Sequence, residues 1–293
     1  MLALIALTAS AADLQWTWDE DTTRTWYVES AQTLGGVQHW YANNQHVRIV
    51  QTQLRMITTC ELDGETKKRW ELACTVDDAS IVASSMPGEE DRVPAATGWM
   101  ERTLVGADFQ VRLSKDGRVG LVDLEAGDSW DPDERAMQAA VEAMVKDAFH
   151  GFDLQLGEGE TWTQKFPRLA EWQGTAGRVP VEHELVGVED GKALVHSDGE
   201  GHLSASWIGD LEADAVWDLA AGAPSYRWWK VIGTSHDGTK IYPWVHTGVI
   251  QELQPGQAMS VGRSGEWGEA FEMTQAVGIL TMALDEHRSG GAR

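Results

Sequence analysis

Phe109-Gln110-Val111-Arg112-Leu113-Ser114-Lys115-Asp116-Gly117-Arg118-Val119-Gly120-Leu121-Val122-Asp123-Leu124 is the stretch that decides the fold class. Its first five residues alternate apolar and polar side chains, so Phe109, Val111 and Leu113 share one face of an extended strand. Asp116-Gly117 supplies residues that accept positive φ, and Val119 to Leu124 runs back. The stretch therefore reads as a β-hairpin with one buried face. Asp63-Gly64, Asp190-Gly191, Asp198-Gly199 and Asp237-Gly238 interrupt β-rich sequence in the same way. Together these pairs predict a mainly β protein: an antiparallel sheet, as a sandwich or half-barrel, with one amphipathic helix packed on it.

Working outward, strand-like pieces fall at Leu14 to Trp18, Thr25 to Ser30, His46 to Thr59 and Arg69 to Val76. Met86-Pro87-Gly88-Glu89-Glu90-Asp91-Arg92 is a loop by composition, and Trp99 to Val105 suits a short helical turn. The helix is predicted from Asp131 to Phe152. Asp131-Pro132-Asp133-Glu134 offers a capping Asp, a first-turn Pro and a Glu three residues after the cap. Met137, Ala140, Val141, Met144, Val145, Ala148 and Phe152 then follow helical spacing. Val181 to Val188, Lys192 to Ser197 and His202 to Ile208 form a predicted meander around two Asp-Gly turns. Trp228 to Ser235 and Lys240 to His246 make a further hairpin, in which Pro243 suggests an edge strand. Val277 to Met282 reads as a final strand, with a C-terminal helix as the competing reading. The β-rich domain is predicted over residues 12–285, either as one unit or as two lobes meeting near 157–159, and residues 286–293 form a disordered tail.

Cys60 and Cys74 flank a hairpin centred near Lys67, which would set the thiols opposite each other. A disulfide there stabilises by about 3 kcal/mol on the loop-entropy model. Free buried thiols and metal binding are the alternatives, but two cysteines with no His between them make a poor metal site. At the other end of the argument stands Met1 to Leu7, an apolar run followed by Ala9-Ser10-Ala11, which matches a secretory cleavage site. Residues 1–11 are thus predicted to be a signal peptide, with cleavage after Ala12 as the close alternative and a buried N-terminal strand as the bland one. No Lys or Arg precedes Arg24, so the true start codon is open. Later segments fall short of the ~18 to 20 apolar residues that span a bilayer. The expected location is periplasmic or secreted.

The 293 residues, 42% of them hydrophobic, can bury a substantial core. Their net charge of -23 repels nucleic acid and anionic membrane surfaces and keeps an exported chain soluble.

Gly117-Arg118-Val119, the helix, Phe152-Asp153-Leu154-Gln155-Leu156, Gly159-Glu160-Thr161-Trp162 and the turn Val188-Glu189-Asp190-Gly191-Lys192-Ala193 follow one another in an order that resembles a group of secreted bacterial β-rich proteins of unknown function. The resemblance covers about the middle third of the chain, and it implies no catalytic residues. A looser architectural analogy is to periplasmic lipoprotein carriers, which bend an antiparallel sheet around a helix to hold acyl chains.

Candidate site residues are few. Tryptophan is abundant, at 15 against 4 Tyr and 5 Phe. Trp228 and Trp229 are adjacent in a predicted strand and must point to opposite faces, so one of them, with Trp244 from the neighbouring strand, is a candidate for ligand stacking; the alternative is that both serve the core. His196 and His202 flank Asp198-Gly199, and His183 or Glu184 would lie across from His196. That row is a weak metal candidate, and no metal or other cofactor is predicted. Gly-x-Ser-x-Gly, His-Glu-x-x-His, phosphate-loop and dinucleotide motifs are absent from the sequence. Carboxylate runs such as Asp19-Glu20-Asp21 and Glu89-Glu90-Asp91 read as solvated loops. The leading expectation is a non-enzymatic extracytoplasmic protein that binds an apolar ligand or a protein partner. A carbohydrate-binding module using exposed tryptophans is second, and a hydrolase with carboxylates from distant strands is third.

Overall fold

The computed structural model describes residues 12–42, 45–115, 117–124, 141–142, 144–146, 148–149, 151, 155–156, 160–167, 178–204, 207–236 and 241–254. A short strand, β1 (Ala12–Asp13), precedes a five-stranded meander of β2 (Thr23–Ala42), β3 (Gln45–Glu65), β4 (Arg69–Ser85), β5 (Asp108–Ser114) and β6 (Val119–Leu124). Then β7 (Gln155–Leu156) pairs with β1. A second meander follows: β8 (Thr161–Pro167), β9 (Arg178–Glu189), β10 (Lys192–Ser204), β11 (Trp207–Asp218), β12 (Ala223–His236) and β13 (Ile241–Leu253). Pairing of β13 with β2 fuses the meanders into one antiparallel sheet, ordered β6-β5-β4-β3-β2-β13-β12-β11-β10-β9-β8. The fold is mainly β and antiparallel, as its sequence pattern predicts.

One face of the sheet carries the main core. Residues paired across an antiparallel ladder point the same way, so Trp26, Met56 and Leu72 join Phe109, Val111, Leu185, Val195, Trp229 and Val231 in a single buried cluster. Three pieces of chain pack on this inner face. Helix α1 (Val93–Leu104) presents Ala96, Met100 and Leu104, the stripe expected at helical spacing. Leu14, Trp16 and Trp18 alternate inward from an extended segment. Residues 141, 142, 144–146 and 148 are helical, and their predicted stripe of Val141, Met144, Val145 and Ala148 is buried. Trp16 joins these layers: it stacks on Phe149 at 6.0 Å and meets Trp26 and Trp217 edge-on at 6.5 and 5.4 Å. Such pairs each add about 0.5–1.5 kcal/mol beyond area burial.

Cys60 and Cys74 are direct cross-strand partners on β3 and β4 and form a disulfide, buried in the same core. The turn that joins these strands lies at residues 66–68, where the Thr66 N-H donates to the Arg69 carbonyl at 2.8 Å.

Several expectations need correction. Asp198-Gly199 is no turn; both residues lie inside β10, paired to Glu182 and Val181 on one side and to Glu212 and Leu211 on the other. Two flanking ladders hold the backbone extended there and override the local turn preference. Asp63-Gly64 likewise sits in the last residues of β3, beside a bulge. Asp190-Gly191 does turn, with φ of 49° and 75°, the doubly left-handed geometry that suits a two-residue hairpin. Leu14 to Trp18 alternates as predicted but stays out of the large sheet. The helical turn near Trp99 extends back to Val93, with Pro94 in its first turn. Pro243 lies in an internal strand, yet the β13 ladder to β2 ends at Val245, so no partner on that side needs its missing N-H. The signal peptide, the Asp131 cap, the Asp237-Gly238 turn, the final strand and the tail lie outside the described residues.

Candidate functional site: the outer face of the sheet

On the face opposite the core, register lines up two long rows. One runs Glu184, His196, Asp214, Trp228, Val249, Glu29, Arg55, Ser80 from β9 to β4. The other runs Thr163, Glu182, Asp198, Glu212, Lys230, Thr247, Ala31, Gln53, Val82 from β8 to β4. Both rows begin in solvent and end in the dark. The His196 and Asp214 side chains are 35% and 38% exposed, whereas Glu29 and Arg55 are at 2% and 5%.

The open half is acidic and hydrogen-bonded. His196 Nδ1 lies 2.7 Å from Asp214 Oδ1, and its Nε2 lies 3.0 Å from Asp198 Oδ2. Asp214 uses its other oxygen to accept the Trp228 indole N-H at 3.0 Å. These carboxylates raise the His196 pKa, Asp214 most strongly, against a smaller opposing effect of burial. Lys230 pairs with Glu212 at 2.5 Å. An open groove beside them is lined by Glu182, Asp198, Glu200, Asp210 and Glu212, with Lys230 and Ile232 along it.

Trp228 and His196, singled out for separate reasons, are therefore joined through Asp214. Nothing in the local sequence marks Asp214; only the register of β10, β11 and β12 puts it between them. Trp229 points to the inner face and is fully buried. Its ring crosses Gly248, where a Cβ would fall 2.0 Å from Trp229 Cζ2, so only glycine fits beneath it. Trp244 pairs with Gly233, five positions from the Val249 partner of Trp228, a separation of roughly 17 Å along the strand. His202 pairs with Ile208, and it stands six positions, roughly 20 Å, from His196. The side chains of Trp244 and His202 lie outside the described residues.

His183 lies on the inner face. Its Nδ1 is 2.8 Å from Ser197 Oγ, and Trp162 packs on its ring at 4.8 Å. His246 meets Ser30 Oγ at 3.0 Å nearby. Burial first, and the charge of Arg227 second, push His183 down to about 3; burial alone takes His246 to about 4. Both rings are neutral at pH 7. A base that weak does little to activate the Ser197 hydroxyl, since catalytic bases work best with a pKa near the operating pH.

The covered half holds a second polar group. Tyr27 donates its hydroxyl proton to Glu29 at 2.9 Å, Gln53 Nε2 donates to the other Glu29 oxygen, and Arg55 hydrogen-bonds Tyr27. Burial raises the Tyr27 pKa, and Glu29 adds to the rise.

Among the described residues no group of three or more His, Cys, Asp or Glu is placed to hold a metal ion, and no helix is long and apolar enough to cross a membrane. No protein-family model matches the chain, and no curated protein matches its sequence. Among solved structures, the chain is similar to an outer membrane channel from Pseudomonas putida F1 at 8% identity and a TM-score of 0.18, over 80% of this chain and 97% of that one. A likeness at that score carries no argument.

Proposed function

We propose that the chain is an exported, non-enzymatic binding protein that holds a cationic partner, a Lys- or Arg-bearing segment of another protein, on the outer face of β8 to β12. The observation that supports this reading is the open groove of Glu182, Asp198, Glu200, Asp210 and Glu212 beside the half-buried Trp228. Carboxylates in such a row attract and orient a basic segment, and an indole adds an apolar and cation-π surface for its side chains. Export is supported by the leader-like residues 1–11 and by the disulfide, which persists in oxidising compartments. The packing of Trp16, Trp26, Trp217 and Phe149 against one another on the inner face speaks for a protein partner over an acyl chain held there.

Calorimetric titration with a Lys/Arg-rich peptide tests the reading. Binding is expected, weakening as salt rises, and the Asp198→Asn, Glu200→Gln, Asp210→Asn triple variant is expected to lose about tenfold in affinity, roughly 1.4 kcal/mol. Equal affinity for a Glu-rich peptide would defeat it. The carbohydrate reading rests on Trp228 alone among the described tryptophan candidates, and quenching of its fluorescence by a glycan in low and high salt alike would favour it.

A further inference from the structure

We infer that the surface holding the basic segment has an apolar half, so that its partner carries apolar side chains at one end and Lys or Arg at the other; this rests on the reading of the acidic groove just given. Among the described residues the large apolar side chains that stand in solvent are Val105, Val186 and Leu194, at 46%, 46% and 42% exposure. Val105 follows the end of α1, but Val186 and Leu194 are neighbours on β9 and β10. Leu194 pairs with Gly187 and Val195 with Leu185, which leaves Val186 as the extra residue of the bulge between them. Pairing carries the patch onward: Leu194 faces Val216 on β11, and Val216 faces Tyr226 on β12, two positions from Trp228. None of these side chains belongs to the inner core. Charge rims the patch on both sides, with Lys192 and Asp218 beyond it and Glu184, His196 and Asp214 before the groove. Single apolar side chains in solvent are ordinary, whereas a contiguous patch with a polar rim marks a contact surface.

Register orders the face along its strands. Leu194, Val216 and Tyr226 form one rank, His196, Asp214 and Trp228 the next, Asp198, Glu212 and Lys230 the third, and Glu200 and Asp210 the fourth. Asp198 therefore lies roughly 13 Å along β10 from Leu194, and Glu200 roughly 20 Å. An extended segment laid along β10 sets an apolar side chain on Leu194 and basic ones four and six residues further on, over Asp198 and Glu200. At the join, the 3.0 Å hydrogen bond from the Trp228 indole N-H to Asp214 holds the ring in place before a partner arrives. A uniformly basic segment would leave Val186 and Leu194 in water, so the order of the ranks also sets which way the segment runs.

Two peptides test this by calorimetric titration of the folded full chain. One carries Val-Leu followed, four residues on, by a run of Lys and Arg; in the other both apolar residues are Ser. The first should bind about tenfold tighter. That ratio should hold as salt rises while both affinities fall, because salt screens the charges and not the apolar contact. The Val186→Thr, Leu194→Thr variant should erase the difference and leave affinity for the Ser peptide unchanged. Equal affinities for the two peptides on the unaltered chain would overturn the inference and leave the acidic groove standing, as would a preference that survives in the variant. Binding of neither peptide at low salt would overturn the reading of the groove and this inference with it.

Discussion

The two halves of the outer face belong to one sheet and one continuous register, yet a charge means something different in each. On β8 to β12 the carboxylates stand partly in water, pair with Lys230 and His196 at the solvent edge, and leave a groove. On β13 to β4 the first row continues as Val249, Glu29, Arg55 and Ser80, all buried. Solvent decides the difference. An exposed ion pair contributes little because water screens it, whereas a buried charge that loses its partner is left with most of its desolvation cost.

The largest effect should come from the covered half. Arg55→Ala removes a hydrogen-bond partner of Tyr27 and the cation that stands in register with the buried Glu29, and urea unfolding should show a loss of about 3–5 kcal/mol. Lys230→Ala, in the parallel row of the open half, should cost under about 1 kcal/mol. Similar losses at the two sites would dissolve the distinction between the halves.

Next comes the inner face as a control for tight packing. Removing the disulfide in the Cys60→Ser, Cys74→Ser variant should lower stability by about 3 kcal/mol without changing the outer groove. Gly248→Ala should cost about 1–3 kcal/mol, because the Trp229 ring has to move off the strand.

The pH dependence sharpens the contrast further, with opposite signs on the two faces. His183 and His246 are depressed to about 3 and about 4, so above their unfolded value near 6.5 their contribution is intact. As pH falls below that value the unfolded chain takes up protons that the folded chain refuses, and stability is lost. His196 is raised, so its contribution is present below about 6.5 and disappears as pH rises through its folded value. Unfolding midpoints at successive pH values should therefore fall less steeply into acid for the His183→Asn, His246→Asn variant than for the unchanged chain. The smallest effect is at Asp214→Asn, which should move the His196 titration, followed by NMR, downward and leave global stability nearly unaltered.

How much of this was legible in the residues follows from what kind of information each feature uses. Alternation in Phe109 to Leu113 and the helical stripe from Val141 to Ala148 are local patterns, and both sit where predicted. The Cys60 and Cys74 pairing depends on one short hairpin, and it too was readable. Asp198-Gly199 misled because its turn preference is local while its two ladders come from β9 and β11. Asp214 was invisible for the same reason, since its role between His196 and Trp228 exists only across three strands. The burial of Glu29 and Arg55 was further still from view, because a charged residue in an alternating strand reads as solvent-facing.

Carboxyl footprinting of the intact chain, read residue by residue with and without a Lys/Arg-rich peptide, tests the divided outer face most directly. Asp198, Glu200, Asp210 and Glu212 should label quickly and become protected when the peptide is added, while Glu29 stays unlabelled throughout. Glu29 labelling as fast as Asp198, or a groove whose labelling ignores the peptide, would contradict the account.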